Sequence, residues 1–336
     1  IRRDEEAVVL QAAASALGGV NRIVLAVSGG LDSMVLLDAV AAGFAAKKKR
    51  LIVATFDHRS GPHSAAAARF VEKRAGELGL KCVVGRASAP MHREHEWREA
   101  RWEFLRQTAA KLDATIVTAH TLDDQIETVF MRILRNAGPR GLAGLFAESE
   151  VVRPFLRLRR SQLEAYARSN HVKFLRDPSN NSRAHLRNRV RHDLLPAISR
   201  VRPAFSDDLL SLAQAASVWR IAMTGAVERI GYPGADGSLR VARSDLAGYD
   251  AESLRALWPA IAAKAGVVMD RRGTHRLAEF TMKGHTGGSI QLSGGIEVRM
   301  FRDHMVIRRW DARRVEMIRN SRLRPVSAHA WMRAET

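Results

Sequence analysis

Between residues 23 and 135, short apolar runs alternate with segments of helical composition. Ile23–Val27, Leu51–Phe56, Leu80–Val84 and Ala114–Ala119 are nearly unbroken apolar stretches, the pattern of strands buried on both faces of a parallel sheet. Helices are predicted from Asp32 to about Gly43 and over Ser64–Leu78, Glu94–Leu112 and Asp123–Arg135. Another, Asp4–Leu17, precedes the first strand, with acids in its first turn and Gly18-Gly19 as its stop. Strict alternation with short connections predicts a doubly wound parallel α/β sheet, which meets ligands at the carboxyl ends of its strands. Polar loops sit at such ends: Ser28–Ser33 after the first strand, Asp57-His58 after the second and His120–Asp124 after the fourth.

After Val151 the pattern changes. Arg153-Pro-Phe-Leu-Arg-Leu-Arg-Arg160 is basic and broken by proline, Ser161–Ser169 is helical, and Asp177-Pro-Ser-Asn-Asn181 marks a turn. His185–Ile198 reads as one helix carrying Arg187, Arg189 and Arg191, and Pro203–Ile230 as another. Tyr232-Pro-Gly-Ala-Asp-Gly237 has the composition of a linker. Beyond it, helices at Ser253–Lys264 and Arg272–Met282 mix with Gly-bounded β segments at Ser289–Leu292, Ile296–Phe301 and Met305–Ile307. The expected organisation is an α/β domain over 1–200 that includes the basic segment 151–200, a helical connector over 201–238, and a smaller α+β domain over 239–336. The basic end from Arg308 is expected to fray.

Composition narrows the class. A chain of 336 residues has room for two domains and a large core, and no run of 18 apolar residues suggests a membrane span. The charged start, Ile1-Arg-Arg-Asp-Glu-Glu6, is not a signal-peptide core. The lone cysteine, Cys82, excludes a disulfide framework or a CxxC cluster site, and the expected compartment is the cytoplasm. Net charge is +19 and uneven: +3 over residues 1–150, +9 over 151–200 and +7 over 201–336. A basic segment directly after a near-neutral α/β domain points to a polyanionic substrate, with Arg187, Arg189 and Arg191 as candidate contacts.

The loop Ser28-Gly-Gly-Leu-Asp-Ser33 joins a buried strand to a helix. Its glycines allow a sharp turn and close approach of a ligand, and its amides with the helix dipole make an anion cradle. It is not a Walker A loop, because no lysine follows the glycines at the required spacing. Asp32 would repel a phosphate unless a cation lay between them, so it reads as a Mg²⁺ ligand, with Ser28 and Ser33 offering hydroxyls to phosphate oxygens. Asp124 and Glu127, three apart, share a helix face suited to a metal or a cationic substrate.

The string SGGLDS in this context resembles the PP-loop of ATP pyrophosphatases. With Asp57-His58, Arg98-Glu-Ala-Arg101, Ala119-His-Thr-Leu-Asp-Asp-Gln-Ile-Glu-Thr128, Asn136–Gly144, Arg153-Pro-Phe-Leu156 and Leu186-Arg-Asn-Arg-Val-Arg-His192, the chain from about 20 to 200 resembles the bacterial tRNA(Ile)-lysidine synthetase family. Residues 201–336 resemble it only loosely. The resemblance implies a ligase that adenylates the wobble cytidine of an isoleucine tRNA with ATP and then joins free lysine to it. It places ATP on Ser28, Gly29, Gly30, Leu31, Asp32 and Ser33, and Mg²⁺ on Asp32. It sets Arg98 and Arg101 near the nucleotide, lysine on Asp124 and Glu127, and tRNA on the C-terminal domain. Asp32, Arg98, Arg101 and His120 are the candidate catalytic residues, and a homodimer is a candidate assembly. The family's second histidine is here Thr121, and its Gly-Leu-Arg after Asp-His is Arg59-Ser-Gly61. The alternatives are another PP-loop tRNA-modifying enzyme, such as a thiolase, or a non-catalytic RNA-binding protein.

Overall fold

The computed structural model describes residues 2–43, 50–89, 94–177, 182–234 and 236–309. The Pro178–Asn181 part of the Asp-Pro turn and the basic end beyond Arg309 lie outside the described residues. The chain forms two compact units, residues 1–134 with 143–214 and residues 135–142 with 215–336.

The first unit runs α1 (Arg2–Leu17), β1 (Ile23–Ala26), α2 (Leu31–Gly43), β2 (Leu51–Asp57), α3 (Pro62–Glu77), β3 (Lys81–Arg86), α4 (Glu94–Leu112), β4 (Thr115–Val117) and α5 (Leu122–Leu134). The strands form one parallel sheet in the order β3-β2-β1-β4, with Ile23 opposite both Leu51 and Thr115. The chain steps outward from β1 through β3 and then returns to the other side of β1. The crevice between β1 and β4 is therefore the point where strand order reverses, the position at which such sheets bind ligands.

Side-chain alternation divides the sheet's two cores. Ile23, Leu25, Leu51, Val53 and Val117 face α2 and α7 (Arg160–Ser169), whereas Val24, Ala54 and Ile116 face Leu105 and Ala109 of α4. Helix α2 packs on both α1 and α7, and Leu31, Met34, Val35, Leu36, Leu37 and Val40 are all buried. A helix covered on several sides has no reason to be amphipathic, and each such side chain contributes roughly 1.5–3 kcal/mol. Asp38 is its polar exception, accepting from Tyr166 Oη at 3.1 Å and lying 3.6 Å from Arg74.

The predicted helix His185–Ile198 is not one α-helix. It comprises α8 (Leu186–Arg189), a π-helical turn (Val190–Leu194) and α9 (Leu195–Val201). Pro196 cannot donate to the ladder, and the Leu195 amide reaches back five residues to Val190 O. Helix α10 (Phe205–Ala226) follows, and its Leu209 and Ala213 pack with Val190 against Ile126, Val129 and Phe130 of α5.

The second unit contains the short α6 (Pro139–Leu142), β5 (Tyr232–Pro233), β6 (Leu239–Ala242), α11 (Ala251–Ala263), α12 (Arg271–Lys283), β7 (Ser289–Leu292), β8 (Ile296–Met300) and β9 (His304–Arg309). Its antiparallel sheet has the order β5-β6-β9-β8-β7. Tyr232-Pro233, expected as linker, is an edge strand, where a proline's missing donor does no harm. Four-residue β6 was not legible beside its glycines. Trp258 is fully buried at the centre of the core, and its Nε1 donates to Thr281 Oγ1 at 2.9 Å.

In the first unit, Gly144 takes φ +61°, and a Cβ there would collide with the amide of Gln125. That buried amide donates to Ala143 O at 2.9 Å and accepts from Leu145 N at 2.6 Å. Gly144→Ala is expected to cost about 2 kcal/mol or more, read as a lower urea midpoint with an unchanged slope.

Candidate active site

Strand β1 delivers the chain to Ser28, and α2 begins at Leu31. Gly29 adopts φ +86°, which lets the chain reverse between them. Ser33 Oγ donates to Gly30 O at 2.9 Å, accepts from Ser28 N at 3.2 Å and lies 3.2 Å from Ser28 Oγ. Leu175 N fixes the turn from outside by donating to Gly29 O at 2.9 Å. Gly29 through Ser33 line a cleft of ≈ 1530 Å³. The first-turn amides of α2, which a helix leaves without internal partners, sit on this wall with the positive end of the dipole.

Asp32 lies in that turn. Its Oδ2 is 3.6 Å from Arg160 Nη1, while Oδ1 is buried and has no hydrogen-bond partner among the described residues. Burial raises its pKa to about 6 against the pull of Arg160. An orphaned carboxylate oxygen in a phosphate cradle fits Mg²⁺, which is commonly held by one or two carboxylates and the substrate's phosphates. Among the described residues no cluster of three His, Cys, Asp or Glu forms a metal cage, so Asp32 would be the protein's share of such a site.

Cations crowd the same cleft. Arg98, Arg101 and Arg187 all line it. Arg101 is held down to about 10 by burial and by Arg98 and Arg187, with no acid among the causes. Arg153, from the segment bonded alongside β4 through Thr118 and Val152, is likewise lowered by burial and by Arg98. What lowers Arg101 and Arg153 is burial and other cations, an arrangement that a bound anion would relieve. Nearby Glu103 is engaged elsewhere, with Arg106 at 3.0 Å and Gln107 at 2.8 Å.

His120 stands at the end of β4, with Nδ1 2.8 Å from Thr118 Oγ1. Burial and the surrounding Arg153, Arg187 and Arg101 lower its pKa to about 4, despite Asp124 nearby. Thr121 precedes α5 as its cap. Its N–H donates to Asp124 Oδ2 at 2.9 Å and its hydroxyl donates to the same oxygen at 3.0 Å. Burial raises the pKa of Asp124, but Arg187, the Thr121 amide, His120 and Arg191 outweigh it and hold it below the usual carboxylate value. Asp123 points elsewhere, accepting Arg160 N at 2.7 Å at the start of α7.

Glu127 shares the α5 face with Asp124 but is closed to solvent. Arg191 donates to both its oxygens, at 2.5 and 3.0 Å, and Arg187 Nε lies 3.0 Å from Oε2. Arg191 also reaches Asp124 Oδ1 at 3.5 Å. Of the three arginines expected on tRNA, only Arg189 is exposed; Arg187 and Arg191 turn inward onto Glu127. The sequence pattern offered no sign of Arg160, 37 residues from Asp123 and close to Asp32, or of Trp97 on the cleft wall.

A PP-loop domain family matches residues 5–198. A tRNA(Ile)-lysidine synthase from Thermosipho africanus is 32% identical over 210 residues, covering 60% of this chain and 49% of that protein. One from Geobacter sulfurreducens is 37% identical over 206 residues, 58% and 44% respectively. The chain thus spans about half the length of these curated relatives. One from Hyphomonas neptunium is 33% identical over 305 residues, covering 84% of this chain and 80% of that protein. In structure the chain is similar to the U34-tRNA thiolase NcsA from Methanococcus maripaludis with its [4Fe-4S] cluster. The TM-score is 0.53 at 14% identity, over 64% of this chain and 79% of that one, a likeness of fold.

Asp32 in the ligand-free protein is a buried acid whose folded pKa of about 6 exceeds the ordinary 3.8. Stability is therefore lost as pH rises from about 4 to 6 and is flat above. Asp32→Asn is expected to stabilise the ligand-free protein by an amount growing over that window to about 3 kcal/mol. Thermal unfolding of both proteins from pH 4.5 to 7.5 checks this, and a difference independent of pH would contradict it. The arginine pair predicts a second outcome. Arg187→Ala with Arg191→Ala strands Glu127 in the interior and is expected to cost about 3 kcal/mol with no RNA present, read by denaturant unfolding.

Proposed function

The chain belongs to the tRNA(Ile)-lysidine synthase family of PP-loop proteins, and from that membership we propose that it is a ligase acting on an isoleucine tRNA. In the proposed reaction the O2 oxygen of the wobble cytosine attacks the α-phosphorus of ATP, forming an adenylated cytidine and releasing pyrophosphate. The amine of free lysine then bonds to C2 of the ring, a proton leaves the nitrogen, and AMP departs with O2. The observation that carries this reading is one cleft lined by the Ser28–Ser33 cradle, by Arg98 and the buried Arg101, and by the acid Asp124.

Each group has a proposed task. The loop amides with Ser28 and Ser33 hold the phosphates, and Asp32 would hold Mg²⁺, which would supply neutralisation of phosphate charge. Arg98 and Arg101 stabilise the charge that builds at the α-phosphorus, a positional and electrostatic task. His120, kept uncharged at neutral pH, serves as a hydrogen-bond partner and adds no further cation. Asp124 receives the lysine ammonium directly. Glu127 contributes by holding Arg191 and Arg187 in place, because both its oxygens are already taken. Arg189 and the basic second unit are assigned to tRNA. The cleft volume supports two substrates meeting at once, since pockets for one drug-sized ligand run to about 300–1,000 Å³.

A thiolase reading finds no support in Cys82. It is half-buried on β3, its thiol is pushed up to about 11 by burial, and it is the chain's sole cysteine. Among the described residues no helix is long and apolar enough to cross a membrane.

The test is incubation of the protein with ATP, labelled lysine and isoleucine tRNA, with label expected in the RNA only when ATP is present. Pyrophosphate release that needs tRNA but not lysine would mark the first step. Asp124→Asn is expected to raise the KM for lysine by roughly tenfold or more and that for ATP far less, as one charge-assisted contact is lost. Equal effects on both would move Asp124 to the nucleotide.

A further inference from the structure

Arg160 and Arg191 both pull on Asp32, and only one of them is fastened elsewhere. Arg191 is committed to Glu127, donating to both its oxygens at 2.5 and 3.0 Å. Arg160 is different. Its Nη1 lies 3.6 Å from Asp32 Oδ2 and its Nε 3.8 Å from Glu164 Oε1. These are the polar contacts of its guanidinium among the described residues, and both exceed hydrogen-bond length.

What holds Arg160 is its backbone. It is the first residue of α7, and its N–H donates to Asp123 Oδ2 at 2.7 Å, so an acid at the start of α5 satisfies an open donor of α7. Leu122 N donates to Leu158 O at 2.9 Å across the same junction. Neither contact uses the Arg160 side chain. A fixed point therefore presents a guanidinium that is 36% exposed and lines the cleft. Glu164, one turn on, lines the same cleft and is 48% exposed. An ion pair that exposed and that long is weakly held. Phosphate can accept a guanidinium through two parallel hydrogen bonds, which a carboxylate at 3.6 Å does not offer.

We propose that Arg160 keeps the cation's place on Asp32 until nucleotide arrives, and then transfers from that carboxylate to a phosphate. A guanidinium 3.6 Å from Oδ2 repels a second cation approaching the same group. Asp124 and Glu164 also act on Asp32, so the neighbourhood favours a cation once Arg160 withdraws. The phosphates supply Arg160 with a better partner and leave both oxygens of Asp32 for the metal. Metal and nucleotide are thereby admitted together. The inference rests on the function proposed above, which brings a metal-bound nucleotide to this cleft. It gives Arg160 a binding and ordering task with no part in bond making.

The test uses the full chain, Arg160→Gln, Arg160→Lys and the double variant Asp32→Asn/Arg160→Gln, at a pH well above the value of about 6 for Asp32. Mn²⁺ is the metal probe, and its electron paramagnetic resonance signal, titrated without nucleotide, gives a metal Kd. Calorimetry with Mg²⁺ present gives Kd for a non-hydrolysable ATP analogue. Arg160→Gln is expected to bind Mn²⁺ roughly 5- to 10-fold more tightly than wild type, the effect of one unit charge at this distance under water-like screening. The same variant is expected to bind the analogue roughly 10- to 100-fold more weakly, as one charge-assisted contact is lost. A residue that only supports the fold does not produce opposite changes from one substitution. Arg160→Lys keeps the charge without the fork, so it is expected to hold Mn²⁺ off as wild type does and to recover part of the analogue affinity. In the double variant the gain in Mn²⁺ affinity is expected to vanish, and its persistence would overturn the proposal by putting the metal elsewhere. Unchanged Mn²⁺ affinity in Arg160→Gln, or wild-type affinity for the analogue there, also overturns it. So does failure of Arg160→Gln to fold, because the bond to Asp123 needs only the backbone N–H. A wild-type protein that does not bind the analogue overturns the proposed function instead.

Discussion

A carboxylate taken out of water must be answered by cations, and the burial of Glu127 organises this cleft. Its side chain is 3% exposed, and it draws Arg191 and Arg187 off the helical segment after His185 and onto α5. The same contact line is apolar a turn away, where Ile126, Val129 and Phe130 meet Val190, Leu209 and Ala213. Charge and packing thus fix one register between α5 and the π-interrupted segment. That register brings Arg187 to the cleft wall beside Arg101 and Arg98, and it carries Arg191 to Asp124 at 3.5 Å. Moving Glu127 would move the cations that face the loop after β1.

The electrostatic pattern divides the cleft. Around α5, acids and arginines nearly balance, and Asp124 stays ionised because Arg187, the Thr121 amide and Arg191 together exceed its burial. Toward α4, the charges that act on Arg101 are the cations Arg98 and Arg187. Between these zones His120 is kept neutral. A phosphate chain therefore gains most on the α4 side and an ammonium on the α5 side, which is the separation needed by a reaction between a nucleotide and an amine. The division comes from which helix each charge sits on, and it would hold for any pair of substrates with those charges.

Much of this was legible in the residue pattern, and what was missed has identifiable causes. Buried parallel strands announce themselves as apolar runs, so β1, β2 and β4 and the loops at their ends could be placed from order alone. Asp32 and the Ser28–Ser33 turn followed, because glycine and a helix start leave few other roles. Pairings distant in the chain were not legible. Arg187 and Arg191 carry the same charge whether they face solvent or Glu127, and only the fold decides. The π turn before Pro196 was hidden because a proline two residues into a helix is ordinarily harmless; here it falls in mid-segment and shifts the ladder. Thr121 looked like a lost imidazole. In place it caps α5 and fixes Asp124, a task a hydroxyl performs well.

The unbound cleft is therefore an unfavourable piece of protein kept in place by favourable surroundings. Asp32 has an oxygen with no partner among the described residues and a pKa of about 6, and Arg101 is depressed by burial and by Arg98 and Arg187. None of these groups helps the empty fold, and each would be improved by an apolar substitute. They persist because the sheet, α2 and the Glu127 contact leave them no alternative position. Each deficit also has a chemical complement: a cation for the lone carboxylate oxygen and an anion for the arginines. A cation beside an anion is what the function proposed above would bring here, so the local frustration narrows the class of ligand more than any favourable contact in the structure does.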